Sequence, residues 1–437
     1  MKITATITKM KFYGKLKRRL GVGITIALAI LSLSAIAFSP PAPVTAANPA
    51  PQPTEIRGVW IANVASGVLF MPWAIDRALR QLAELNFNTI YPVVWNRGRT
   101  FYPSKLATKT IGYSQDTTLT LFRFGRDLLA EILTQGHRQG LRVIPWFEYG
   151  FMAPVNSQLV KRHPHWVTAT RDLTKKLPKD IFELDVRDLL PEGEERSPLE
   201  KFQYSVSINN VWLNPIHPDV QNFVLGLILE VVEKYPVDGI QLDDRFAMPV
   251  ELGYDPFTVR LYQQEHQGKS PPDNPRDAEW MGWRADKLTA FLERIYKAVK
   301  AVKPNCIVSV SPNPQNFAYK LYLQDWQTWI EKGIVDEIIL QVYRNDPGKF
   351  KQELEKPILS FARSKVPVGI GILSGTWNNP VAIAQIKEQV RETRLRGFDG
   401  VSFFYWESLW TYMTPDPPQE RRLAFKELFP TPVERGK

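Results

Sequence analysis

The chain has 437 residues but one cysteine, Cys306, and five histidines, and each scarcity removes a class of chemistry. A lone cysteine forms no intramolecular disulfide, so an apolar core must hold the fold together, and Cys306 reads as a small buried hydrophobe. Of His137, His163, His165, His217 and His266, only His163 and His165 are close in sequence, and none sits with Asp, Glu or Cys at metal-ligand spacing. No G-x-S-x-G turn offers a serine nucleophile, and no glycine-rich turn follows the first strand-like run, where a dinucleotide fold would place one. No metal and no cofactor are therefore expected.

Acidic residues are absent from the first 54 positions. The formal net charge is +10, yet seven positive charges (Lys2, Lys9, Lys11, Lys15, Lys17, Arg18 and Arg19) precede the first acid, Glu55, which leaves +3 for the rest. No later Lys/Arg block is interleaved with aromatics, so nucleic acid is not an expected partner. The basic start runs into an uncharged stretch from Leu20 to Ser39, then into Pro/Ala-rich sequence containing Val44-Thr45-Ala46. That order reads as a signal peptide over residues 1–46, cleaved after Ala46, with an uncleaved membrane anchor as the alternative. The expected organisation is then a linker over 47–54 and one domain over 55–430, exported to the periplasm or cell envelope. Membrane association is expected only through the N-terminal segment.

What the chain does have is apolar rhythm, with 44% hydrophobic and 12% aromatic residues. Eight strand-like runs begin at Ile56, Asn88, Leu141, Val237, Cys306, Val335, Val366 and Asp399. Between them lie amphipathic stretches such as Ala74 to Asn86, Arg126 to Gly140, Val220 to Tyr235, Arg284 to Val302 and Val381 to Gly397. Eight such alternations predict an α/β protein, a (β/α)8 TIM barrel with an insertion after strand three, and a doubly wound sheet is the competing arrangement. The insertion, Gly150 to Val211, is charge-rich and falls on the active face of a barrel, as a cleft wall or as a solvated loop.

The run "VDGIQLDDR", Val237 to Arg245, ends an apolar strand on two adjacent carboxylates. Along a barrel strand side chains alternate, so Gln241 and Asp243 should face the axis while Ile240 and Leu242 face the helices. Asp243 then lies at the C-terminal mouth, where barrel enzymes keep their chemistry. Asp244 points away or caps the next loop, and both acids have the plainer alternative of pairing with Arg245. Glu148 ends strand three and Glu407 follows strand eight. Trp60, Trp95, Trp146, Trp212 and Trp406 crowd the same strand ends, with Gln341 and Tyr343 on strand six. Carboxylates framed by aromatic rings suit a carbohydrate cleft, because rings stack on sugar C–H faces while carboxyls act as acid, base or nucleophile. Each Trp alone is better explained by the core, and it is the five together at strand ends that argue for a cleft.

The segments "RGVW", "FYPSKL", "HRQGLRVIPWFEYG", "WLNPIHPDV", "YPVDGIQLDDR", "VSVSPNP" and "IILQVYR" resemble the glycosyl hydrolase-like 10 family, bacterial envelope barrels. The resemblance runs from Glu55 to about Leu409. It implies a glycoside hydrolase acting on bacterial polysaccharide such as peptidoglycan glycan. Where many members carry Asn after the "WF" pair this chain has Glu148, and where they often carry Arg near the end of strand two it has Trp95. The candidate catalytic set is Asp243 with Glu148 or Glu407. The candidate substrate contacts are Trp60, Trp95, Trp146, Asn214, Gln241, Asp244, Arg245, Gln341, Tyr343 and Trp406. A non-catalytic glycan-binding barrel is the rival from another class, and a deacetylase is disfavoured by the lack of metal ligands.

Overall fold

The described residues form thirteen strands. In chain order they are β1 (Ile56–Ile61), β2 (Thr89–Pro92), β3 (Trp95–Asn96), β4 (Arg99–Thr100), β5 (Arg142–Val143), β6 (Trp146–Phe147) and β7 (Met152–Pro154). Then follow β8 (Asn210–Trp212), β9 (Gly239–Asp243), β10 (Ile307–Ser311), β11 (Glu337–Gln341), β12 (Val368–Leu373) and β13 (Gly400–Phe404). The computed structural model describes residues 54–63, 66–71, 73–172, 210–376, 379–410 and 414–433. The expected signal segment and nearly all of the linker, like residues 173–209 of the expected insertion, lie outside the described residues.

Nine strands form one parallel sheet in the order β5-β2-β1-β13-β12-β11-β10-β9-β6. Its two outer members, β5 and β6, are consecutive pieces of a single run, Arg142–Phe147. On one side of that run Ile144 N donates to Ile90 O at 3.0 Å, and on the other Gln241 N donates to Pro145 O at 2.8 Å. The sheet therefore meets itself and closes as the expected eight-stranded barrel. The helix Ala74–Glu84 buries Ile75, Ala78, Leu79 and Leu82, the stripe that a period of 3.6 places on one face. The long helix Ala278–Val302 begins ahead of its expected start because Asp277 caps it, its Oδ1 accepting from Glu279 N at 3.0 Å and Trp280 N at 3.1 Å.

Inward-facing positions are not all apolar. Glu337 on β11 pairs with Arg142 on β5 at 2.5 Å and accepts from Ser309 Oγ at 2.9 Å and Tyr91 Oη at 3.3 Å. Above it Ser309 Oγ accepts from Gln241 Nε2 at 3.0 Å, and Gln241 Oε1 accepts from Trp60 Nε1 at 2.7 Å. This polar column joins six strands through the barrel axis. Removing one end strands the other: Glu337→Ala is expected to lower stability by about 3–5 kcal/mol, because it leaves the Arg142 charge buried and unpaired. Chemical denaturation checks this, and adding Arg142→Met should recover much of the loss.

Candidate active site

Two register facts bring the carboxylates together. β6 pairs with β9 so that Trp146 lies beside Gln241 and Phe147 beside Leu242. The next position in that register sets Glu148 next to Asp243, and residues level with one another on parallel neighbours point to the same face. Gln241 is directed inward by its bonds to Trp60 and Ser309, so Asp243 and Glu148 share the inner side at the C-terminal mouth. On the other flank Ser311 lies beside Asp243, and Gln341 Nε2 donates to Asp243 Oδ1 at 2.6 Å and to Ser311 O at 2.8 Å. Gln324 Nε2 fixes the turn beyond, donating to Asp243 O and Phe246 O, each at 3.0 Å.

Burial sets the electrostatics. It pushes the Asp243 pKa well above the usual carboxylate range, helped by the charges of Asp244 and Glu148, while Arg245 and a backbone N–H pull it down. Glu148 is pushed up to about 7 by burial, although an Asn96 N–H bond and the Arg245 and Arg97 charges oppose the rise. Two neighbouring carboxyls whose charged forms are both disfavoured do not readily ionise together. Asp244 forms an ion pair with Arg245 and accepts from Asn313 Nδ2 at 3.2 Å. Burial lowers the Arg245 pKa, but Asp244, Tyr322, Asp243 and Tyr149 raise it further. Burial raises the Tyr343 hydroxyl well above its ordinary value, with Asp243 and Asp244 adding to the effect. Asp243, Asp244, Arg245, Glu148, Gln341 and Tyr343 thus form one cluster.

The other expected residues are placed differently. Trp60 and Trp146 lie beneath the acids, with ring centroids 6.4 Å apart, and both meet Phe404, at 6.2 and 6.3 Å. Gln241 has no exposed surface, and its amide is satisfied within the barrel. Trp95 turns into the core, its Nε1 donating to Gly150 O at 2.9 Å and its ring meeting Phe223 at 5.6 Å. Asn214 clamps the loop after β8, donating to Asp255 Oδ1 at 3.1 Å and Thr258 Oγ1 at 2.7 Å. Trp406 stacks edge-on with Trp410 at 5.9 Å.

Glu407 lies in a single helical turn, Glu407–Leu409, near Ser66 and Val68 rather than the other acids. Among the described residues neither of its carboxyl oxygens has a hydrogen-bond partner of good geometry, and burial pushes its pKa up to about 8 despite the nearby Ser66 hydroxyl and Val68 amide. An unfolded Glu titrates near ~4.3, so between that pH and about 8 the folded state holds a proton that the unfolded state has released. Stability should fall as pH rises through this window. Glu407→Gln is therefore expected to raise Tm by a few degrees at pH 8.5 and to leave it nearly unchanged at pH 5, as read by calorimetry.

Several neighbours of the acids carry no signal in the sequence. Asn96 and Arg97 come from the β3–β4 hairpin, where Trp95 pairs with Thr100 and Asn96 with Arg99. Gly150 turns the chain after Glu148 with φ +44°, and a Cβ there would fall 2.3 Å from Arg245 O, so only glycine lets the two active segments touch. Ligand atoms of His165, His217 and Asp219 lie within 4.8 Å of one another, a grouping hidden by their separation in sequence. It shares no residue with the carboxylate cluster, and His217 Nδ1 already accepts from Asp219 N at 3.2 Å.

The chain resembles known proteins in sequence and in fold. Glycosyl hydrolase DigH of Escherichia coli strain K12 is 25% identical over 311 residues, covering 66% of this chain and 62% of that protein. Glycosyl hydrolase YngK of Bacillus subtilis strain 168 is 23% identical over 321 residues, covering 66% of this chain and 54% of that protein. The chain thus matches somewhat more than half the length of each. Among solved structures, the glycoside hydrolase domain of PgaB (BpsB) from Bordetella bronchiseptica superposes with TM-score 0.57 at 14% identity, covering 83% of this chain and all of that one. The catalytic domain of β-amylase from Paenibacillus polymyxa superposes with TM-score 0.54 at 9% identity, covering 87% of this chain and 98% of that one. Both are likenesses of fold. The pattern that defines glycosyl hydrolase-like 10 matches residues 55–192 and 196–391, and the chain belongs to that family.

Proposed function

We propose that this protein is an exported glycoside hydrolase that cleaves a bacterial polysaccharide, peptidoglycan glycan being the favoured substrate, through Asp243 and Glu148. The observation that carries the reading is the pair itself: two carboxyls at the barrel mouth, side by side in register, Asp243 buried and Glu148 half-buried, both with raised proton affinities. Glu148, half-buried, acts as general acid toward the leaving oxygen. In this scheme Asp243 reacts in its ionised form, which the Gln341 N–H and Arg245 favour, and attacks the anomeric carbon. When the glycosyl-enzyme forms, Glu148 has lost its proton, and it then takes one from the incoming water.

Adjacent strands run about 4.8 Å apart, closer to the ~5–5.5 Å carboxyl separation of retaining enzymes than to the wider gap of inverting ones. Retention of anomeric configuration is therefore the expected outcome, read by proton NMR of the first product formed. Initial release of the inverted anomer would remove Asp243 from the nucleophile's role. Trp406 and Tyr343 border the cleft as sugar contacts in this scheme. Export is supported by the basic, apolar and small-residue order of residues 1–46. Mass spectrometry of the envelope-fraction protein should find a mature chain starting near Ala47, and an intact N-terminus would make it membrane-anchored instead.

A further inference from the structure

We infer that Arg97 forms a binding subsite for a carboxylate carried by the glycan, so that the enzyme selects acidic over neutral polysaccharide. This rests on the hydrolase reading above and adds the chemical class of its substrate.

The β3–β4 hairpin turns through Arg97 and Gly98, both left-handed, with φ of +51° and +70°. A two-residue turn of this kind favours Asn-Gly, since Asn and Gly enter the left-handed region readily and a long side chain does not. Arginine is held there by its surroundings. Trp95 Nε1 donates to Gly150 O at 2.9 Å, Tyr149 N donates to Trp95 O at 3.3 Å, and Asn96 bonds the Glu148 carboxylate. The hairpin is thereby fastened directly beside the catalytic pair. Arg97 is exposed, its Nε lies 3.5 Å from Tyr149 Oη, and its charge is near enough to lower the Glu148 pKa.

Its neighbour behaves differently. Arg99 pairs with Asp116 at 3.1 Å and donates to Thr117 Oγ1 at 2.8 Å. Among the described residues no carboxylate lies within ion-pair distance of Arg97, although three acids line the mouth it overhangs. Those acids would repel an anionic sugar. An exposed guanidinium at the rim, without a carboxylate partner among the described residues, offsets that repulsion and offers a fork that matches a carboxylate in a bidentate way. Discrimination then comes from a charge that acidic glycan satisfies and neutral glycan leaves idle.

The test compares soluble peptidoglycan glycan strands, acidic through their lactyl and peptide carboxylates, with the same strands after carbodiimide-borohydride reduction of those carboxylates to alcohols. Linkage and length are unchanged. For the intact enzyme kcat/KM should favour the acidic strands by about tenfold, the scale of one charge-assisted contact. Arg97→Gln should bring that ratio near unity, Arg97→Lys should keep part of it, and Arg99→Gln, on the same hairpin, should retain it. Equal rates on both strands with the intact enzyme, or an unchanged ratio in Arg97→Gln, would overturn the subsite while leaving the hydrolase reading standing. A shift of the pH profile with no change in ratio would also overturn it, since Arg97 would then act only on Glu148. Cleavage of neither strand would bring down both.

Discussion

Asp243→Asn is expected to lower kcat by roughly three to five orders of magnitude on every glycan the enzyme cleaves, with fold and affinity kept. Asn preserves the size of the side chain and presents an oxygen to the Gln341 N–H that now reaches Asp243 Oδ1 at 2.6 Å. What it removes is the negative charge and the nucleophile. Because that charge is buried and raised in pKa, its loss should leave Tm unchanged or slightly higher, which separates a catalytic defect from a folding one. Activity within tenfold of the parent would reject Asp243 as a reacting group.

For Glu148→Gln the expected loss is about 10²- to 10⁴-fold on glycans, whose leaving alcohols need protonation. Aryl glycosides, whose leaving groups depart unaided, should retain far more activity. The pH profile adds a second criterion. A general acid works while protonated, so with its pKa at about 7 the parent's kcat/KM should decline above neutrality, and the Gln variant should lose that alkaline limb. If the leaving-group dependence appears in Glu407→Gln instead, protonation belongs to the strand-eight side and Glu148 becomes a substrate contact.

The barrel and Asp243 were legible because both are statements about period. Eight apolar runs alternating with helical stripes leave few topologies, and a polar residue two positions below an acid at a strand end reads as inward-facing. The adjacency of Glu148 followed from strand order. Other placements depend on contacts that no local pattern encodes. Trp95 looked like a cleft platform, but the chain turns into a hairpin directly after Val94, and the indole finds Gly150 O instead. Glu407 follows an inward strand, yet the turn that contains it rotates its carboxyl toward Ser66. Asn214 sits in one of the segments that carry the family resemblance and spends its amide on Asp255 and Thr258. The C-terminal helix Pro418–Leu428, which lies beyond the last of the eight strand-like runs, buries Arg421 so that Nε and Nη2 donate to Leu409 O at 2.6 Å and Ser374 O at 3.1 Å. In that case a charged residue serves as a clamp on strand-end carbonyls, and composition alone points the wrong way.

Incubating the mature protein with a panel of bacterial glycans and counting new reducing ends tests the central claim most directly. The expected result is time-dependent formation of reducing ends from peptidoglycan glycan, at a rate proportional to enzyme and absent with Asp243→Asn. Saturable binding of the same glycan with no new reducing ends would contradict it, and would make the barrel a glycan-binding protein whose carboxylates hold a sugar without breaking its bond.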